Sequence, residues 1–194
     1  LSLLIVVLLT TLCLSAQWQW QNPTPTKNDI NQVFFVTPEK GWAVGVDGLI
    51  LYTIDNGNTW EIQSSGTDNT LQAIYFIDEI NGWAAGTNGT ILSTNNGGAD
   101  WISNDECPDC DHKAIHFTSL NNGWIVGSNG TVLHTNDGGE TWQMQLSSPS
   151  EVFNDVFFTD DGHGWIIGGI NNITESGDVI MCTTDGGATW ENQR

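Results

Sequence analysis

Chemically, the densest stretch of this chain is Cys107-Pro108-Asp109-Cys110, which runs straight into Asp111 and His112. Two thiols at this spacing can close a disulfide in an oxidising compartment, remain inert, or join His112 around a metal ion. A second pair of metal ligands is missing from the sequence, so no metal is expected. The βαβ surroundings of a redox-active pair are missing too. The other abundant chemical group is the carboxylate, with 23 Asp and Glu against 4 Lys and Arg, a formal net charge of −19. Adjacent acids such as Asp160 and Asp161 are candidates for the acid and base of glycoside hydrolysis, but among so many acids a solvated acidic surface explains them more simply. Lys27, Lys40, Lys113 and Arg194 are too few to displace counterions from a phosphate backbone, which makes nucleic acid a poor partner.

These groups must be positioned by a repeat. Gly-Trp recurs at Gly41-Trp42, Gly82-Trp83, Gly123-Trp124 and Gly164-Trp165, each step being 41 residues. Ahead of each pair lies a short apolar run: Val33-Phe34-Phe35, Ile74-Tyr75-Phe76, Ile115-His116-Phe117 and Val156-Phe157-Phe158. A second run follows it. Then Asp47-Gly48, Asn88-Gly89 and Asn129-Gly130 supply the positive φ of type I′ hairpins. Asn88 and Asn129 head glycosylation sequons, as does Asn172, and the first two read as turn chemistry. A third strand-like run follows, beginning at Leu49, Thr90, Thr131 and Val179. His116 and His134 take positions held by aromatic or small residues in the other modules, and Cys182 takes a third-strand position, so all three read as packing residues.

Each third strand enters an octet of the form Thr-x-(Asp/Asn)-x-Gly-x-(Thr/Asp)-Trp. Its members are Thr53, Asp55, Gly57 and Trp60; Thr94, Asn96, Gly98 and Trp101; Thr135, Asp137, Gly139 and Trp142; and Thr183, Asp185, Gly187 and Trp190. The acid or amide can accept backbone N–H bonds, Gly tolerates positive φ, and the Trp can drop its ring onto the sheet before a fourth strand leaves from it. Four short antiparallel strands per 41 residues, marked by Gly and aromatic residues, specify an all-β fold, a β-propeller of four-stranded blades.

The octets match the Asp-box, or BNR repeat. With Gly41-Trp42-Ala43-Val44-Gly45 they make residues 28–194 resemble the photosystem II assembly factor family. That resemblance implies a seven-bladed propeller, a non-catalytic binding or scaffolding role, and relatives among exported bacterial proteins. The expected partner is a protein or a cell-surface glycan, with no cofactor. Asp-boxes also occur in sialidases and xyloglucanase-type glycosidases, so a secreted glycoside hydrolase is the alternative. A sialidase binds its substrate carboxylate with three arginines, and only Arg194 is present. Family members that grip a reaction-centre protein are expected to use a basic surface, so a bacterial cell-surface binding module stands beside the assembly-factor reading.

Residues 1–16 read as an export signal: Leu1 to Leu14 are almost wholly apolar, too short to span a bilayer comfortably, and end in Ser15-Ala16. No membrane insertion is expected after its removal. Residues 17–27 offer a lone strand suited to closing a ring, and modules follow at 28–68, 69–109, 110–150 and 151–194. Because the last module starts a fourth strand of its own at Trp190, the ring is expected to be open and the chain a fragment. The repeat breaks at two places, which predicts an interaction face. One is the acidic link with Asp105, Glu106, Asp109, Asp111 and His112; the other is an insertion from Ile170 to Asp178, with Asn171, Asn172 and Glu175.

Overall fold

Runs of two to eight residues rich in β-branched and aromatic side chains, punctuated by Gly, Asn and Asp, are too short for helices and suit half-buried strands. The computed structural model describes residues 26–106, 109–148, 150–170 and 177–193. The export signal and nearly all of the segment 17–27 fall outside the described residues. The first blade comprises β1 (Ile30–Phe35), β2 (Gly41–Gly45), β3 (Ile50–Thr53) and β4 (Glu61–Gln63). The second holds β5 (Leu71–Phe76), β6 (Gly82–Gly86), β7 (Ile91–Thr94) and β8 (Ile102–Ser103). The third holds β9 (His112–Phe117), β10 (Gly123–Gly127), β11 (Val132–Thr135) and β12 (Gln143–Leu146). The fourth holds β13 (Glu151–Phe158), β14 (Gly164–Ile170), β15 (Asp178–Thr183) and β16 (Glu191–Asn192). Every blade is an antiparallel meander in chain order, and the four form an open β-propeller arc with β1, β5, β9 and β13 side by side at the hub.

The hairpins between second and third strands are the tight turns that the Asn-Gly and Asp-Gly pairs predict. Asp47 and Gly48 have φ of 55° and 64°, and Leu49 N donates to Val46 O at 3.1 Å. Two details differ from the sequence reading. The octet tryptophans precede the fourth strands, because each ring turns inward to stand edge-on against a first-strand Phe: Trp60 on Phe35, Trp101 on Phe76, Trp142 on Phe117 and Trp190 on Phe158, all at 5.9–6.0 Å. The insertion of the fourth module lengthens a hairpin as well as a loop, since Asp178 is a strand residue paired with Gly169.

Sheet packs on sheet through one device used three times. The indoles of Trp42, Trp83 and Trp124 lie flat, at 3.6 Å, on Phe76, Phe117 and Phe158 of the following blade. Each Nε1 then donates to a carbonyl in that blade's octet turn: Trp42 to Gly97 (3.2 Å), Trp83 to Gly138 (2.7 Å) and Trp124 to Gly186 (3.2 Å). Gly before each Trp is a steric requirement, since a Cβ at Gly82 would sit 2.4 Å from the Phe76 ring. Around the hub Phe34, Tyr75, His116 and Phe157 touch in succession at 5.1, 5.2 and 4.9 Å, which accounts for His116 as a member of an aromatic row.

Trp83→Ala removes a buried stack and a buried hydrogen bond together. We expect a loss of about 3–5 kcal/mol, read as a lowered midpoint in urea unfolding followed by far-UV circular dichroism. An unchanged midpoint would remove the seam tryptophan from its structural role.

Candidate functional site

The octet groups are occupied with one another. Thr135 is buried; its hydroxyl donates to Asp137 Oδ1 (2.7 Å) and accepts from Gly139 N (2.9 Å). Asp137 then accepts from Thr141 N (2.9 Å) and Thr141 Oγ1 (2.6 Å). The same set closes the first turn through Thr53, Asp55 and Thr59, and the fourth through Thr183, Asp185 and Thr189. The second turn reverses the polarity: Asn96 Oδ1 accepts from Asp100 N and its Nδ2 donates to Asp100 Oδ2, each at 3.0 Å. The negative charge moves from the third octet position to the seventh. These carboxylates act as turn braces, bonded to donors of their own octets.

The acids of the predicted interaction face, Asp105, Glu106, Asp109 and Asp111, are exposed, and several of their polar groups also bond within the chain. Asp105 Oδ1 accepts from Ile91 N (3.1 Å) and Ser103 Oγ (2.7 Å), and Asp111 Oδ1 accepts from Asn88 N (3.2 Å). Asp109 lends its carbonyl to Asn129 Nδ2 (3.4 Å), while the Glu106 carbonyl takes Nε2 of His112 (3.1 Å). His112 does not belong to the surface. It occupies the position of Leu71 and Phe153 in neighbouring blades and is wholly buried, and that burial holds its pKa below the ordinary 6.5. Cys110 is buried and disulfide-bonded. Cys107, Asn171, Asn172 and Glu175 fall outside the described residues. Asp160 and Asp161 have separate partners, Asp160 the ring of His163 (2.9 Å) and Asp161 the hydroxyl of Thr118. Among the described residues no three His, Cys, Asp or Glu side chains gather as a metal site.

What the sequence reading missed lies at the hub. Each inner strand carries a bulge at its second or fourth residue, where one residue has no counterpart on the neighbouring strand: Asn31 between Ile30 and Gln32, Gln72 between Leu71 and Ala73, Lys113 between His112 and Ala114, and Asn154 between Phe153 and Asp155. Bulges re-aim side chains. All four residues line a single cavity of about 380 Å³, together with Gln32 and Asp155. Asn31 Nδ2 bonds Leu71 O (2.8 Å) and Gln32 Oε1 accepts from Ile74 N (2.6 Å), tying the first two blades across it. The signal was present as polar residues 41 apart, at 31, 72, 113 and 154, within the inner strands.

A second opening follows from one missing methylene. Gln63 Nε2 spans the first seam to Gly97 O (3.0 Å) and Gln145 Nε2 spans the third to Gly186 O (3.1 Å). At the middle seam the equivalent residue is Asn104, which turns back to Ser93 Oγ (3.1 Å). Trp142 Nε1 is buried without a hydrogen-bond partner among the described residues, as is Trp190 Nε1 at the third seam, where Gln145 does bridge. At the middle seam a cleft of about 350 Å³ opens between Asn81, Asn104, Asn121 and Glu140.

Comparison with known proteins agrees with this architecture. A family model described as photosynthesis system II assembly factor YCF48 matches residues 11–101 and 62–149. No curated protein matches the chain in sequence. Among solved structures, one titled as YCF48 bound to D1 peptide is similar with a TM-score of 0.59 at 19% identity, over 87% of this chain and 83% of that one. YCF48 from Cyanidioschyzon merolae gives 0.57 at 16% identity, over 88% of this chain and 87% of that one. An ancestral GH74 enzyme gives 0.67 at 14% identity, over 84% of this chain but only 25% of that one.

Two acid-sensitive limbs follow from the site geometry. Thr141, through its hydroxyl and then its amide, holds Asp137 down at about 2, and Thr59 and Thr189 lower Asp55 and Asp185. Their stabilisation is complete above the ordinary value of 3.8 and disappears as pH falls through the lowered values. His112, neutral in the fold, stabilises above its ordinary 6.5, and that contribution is lost on acidification below it. His112→Leu, the residue found at this position in the second blade, is expected to flatten the fall of Tm between pH 7 and pH 5 and leave the limb below pH 4 intact. Parallel falls for variant and parent between pH 7 and pH 5 would clear His112 of that role.

Proposed function

Because the chain belongs to the photosynthesis system II assembly factor YCF48 family, we propose that it is an exported, non-catalytic β-propeller that holds another protein. The observation that carries this reading is the convergence of four bulge residues, one from each blade, on a single hub cavity. Side-chain amides both donate and accept, the combination that an extended peptide backbone presents in return. Gln72, Lys113 and Asn154 make no side-chain hydrogen bond among the described residues, so their groups are available to a partner. The relative titled as bound to D1 peptide supports a polypeptide as the class of ligand. A net charge of −19 adds long-range attraction for a partner with basic segments and repels acidic ones. The apolar run from Leu1 to Leu14 supports export, in keeping with a binding module that works outside the cytoplasm.

A secreted glycoside hydrolase is the second reading, since GH74 enzymes share this blade geometry. The two separate in one set of assays. Fluorescence anisotropy with labelled D1 peptide and with a panel of basic and acidic 15-residue peptides should show saturable binding. Gln72→Ala combined with Lys113→Ala should weaken it at least tenfold, about 1.4 kcal/mol. Binding that is indifferent to the double substitution would overturn the hub assignment. Release of reducing ends from xyloglucan would favour the hydrolase.

A further inference from the structure

Two of the three internal seams hold a side-chain carboxamide, and they show what the middle one lacks. At the first seam Gln63 Nε2 donates to Gly97 O (3.0 Å), which also accepts from Trp42 Nε1, and Gln63 Oε1 accepts from Trp101 Nε1 (3.4 Å). At the third seam Gln145 Nε2 shares Gly186 O with Trp124 Nε1. Both carboxamides press on an octet glycine: a Cβ at Gly98 would lie 2.1 Å from Gln63 Oε1, and one at Gly187 would lie 2.2 Å from Gln145 Oε1. The middle seam keeps the receptor without the occupant. Asn104 takes the register of Gln63, its N bonded to Ile91 O (2.8 Å) as Gln63 is paired with Ile50, but its shorter side chain turns to Ser93. Gly138 O therefore receives Trp83 Nε1 alone among the described residues, and a carbonyl has a second lone pair to offer. The atoms nearest a Cβ at Gly139 belong to the indoles of Trp83 and Trp142, at 3.0–3.3 Å, where the other seams place an amide. The cleft of about 350 Å³ lies between the two ends of the missing bridge, lined by both Asn104 and Gly138.

We propose that the middle seam binds a glutamine side chain of a partner polypeptide, which supplies from outside the carboxamide that the flanking seams supply from within. Its amide nitrogen donates to Gly138 O, as Gln63 and Gln145 donate to Gly97 O and Gly186 O. Its oxygen accepts from Trp142 Nε1, which is buried without a partner among the described residues and is the counterpart of Trp101 Nε1. The walls suit the rest of the residue. Ile102 and Leu120, 58% and 50% exposed, flank the methylenes, and Asn95 and Asn121, whose side chains make no hydrogen bond among the described residues, face the peptide backbone on either side. Glu140, an exposed lining residue in no ion pair among the described residues, favours a Lys or Arg next to the glutamine. Asparagine in the partner is too short to reach, and glutamate sets a charge against a carbonyl oxygen. The site is separate from the hub, since the two cavities share no lining residue.

The test is calorimetric titration of the full chain with a heptapeptide carrying Lys-Gln at its centre, capped by acetyl and N-methylamide groups so that it has no other primary amide. Nuclear magnetic resonance of the indole N–H signals, with Trp142→Phe assigning one of them, locates the contact. We expect saturable 1:1 binding, a shift of the Trp142 signal, and affinity at least tenfold lower when Asn, Glu or Met replaces the peptide's Gln. Asn104→Gln rebuilds the internal bridge. This variant should fold by circular dichroism, melt no lower than the parent and bind the peptide at least tenfold more weakly. Gln72→Ala combined with Lys113→Ala should leave this binding unchanged, which separates the seam from the hub. Absence of binding, equal affinity for the Gln and Met peptides, parental affinity in Asn104→Gln, or loss of binding in the hub variant would each overturn the proposal. A Trp142 shift produced by cellobiose and not by the peptide would overturn it in favour of a sugar site.

Discussion

The structure depends on an indole that belongs to one blade and is satisfied by the next. The ring stacks on a neighbouring Phe, and its N–H points at a carbonyl that exists only because the neighbouring octet turn has folded. Those carbonyls come from Gly97, Gly138 and Gly186, all at positive φ, so the turn must reach the left-handed region before the seam can form. The Asp-box is therefore more than a local cap. Its Thr–Asp–Thr bonding holds the geometry of the acceptor, so the folding of one blade's turn and the docking of the previous blade are coupled. Cooperativity in a chain of near-identical modules has a specific chemical carrier here.

Elements that repeat were legible because repetition turns weak local signals into strong ones. A lone Asn-Gly is suggestive, but Asp47-Gly48, Asn88-Gly89 and Asn129-Gly130 at equal spacing mark the same turn in three blades. The bulges escaped notice for a physical reason. A bulge is a statement about register between two strands, and nothing in Gln72 or Lys113 alone says that its neighbours on both sides are paired and it is not. His112 misled for a related reason: it follows a run of acids and reads as part of them, whereas the strand begins there and turns the ring into the core. The seam glutamines were silent too, since the difference between Gln63 and Asn104 matters only across a gap one side chain wide.

Electrostatically the chain keeps its acids local. Three octets place the carboxylate third and one places it seventh, yet each brace retains one ionised acceptor facing hydroxyl and amide donors. Asp105 and Asp111 serve the link between blades in the same manner. Buried imidazoles stay neutral, so the core adds no charge of its own. The large negative charge is thus distributed over braced, exposed positions, and the hub is lined mainly by uncharged amides.

The bulges have a consequence for how such a protein can change over time. A residue that sits outside the hydrogen-bonded ladder contributes little to the pairing of its strand, so its identity is weakly constrained by the fold. Duplicating a blade copies the slot but not the obligation to fill it with the same side chain, and the four slots now hold Asn, Gln, Lys and Asn. Ligand preference in this architecture can therefore drift one blade at a time, while the seams that keep the blades together stay fixed.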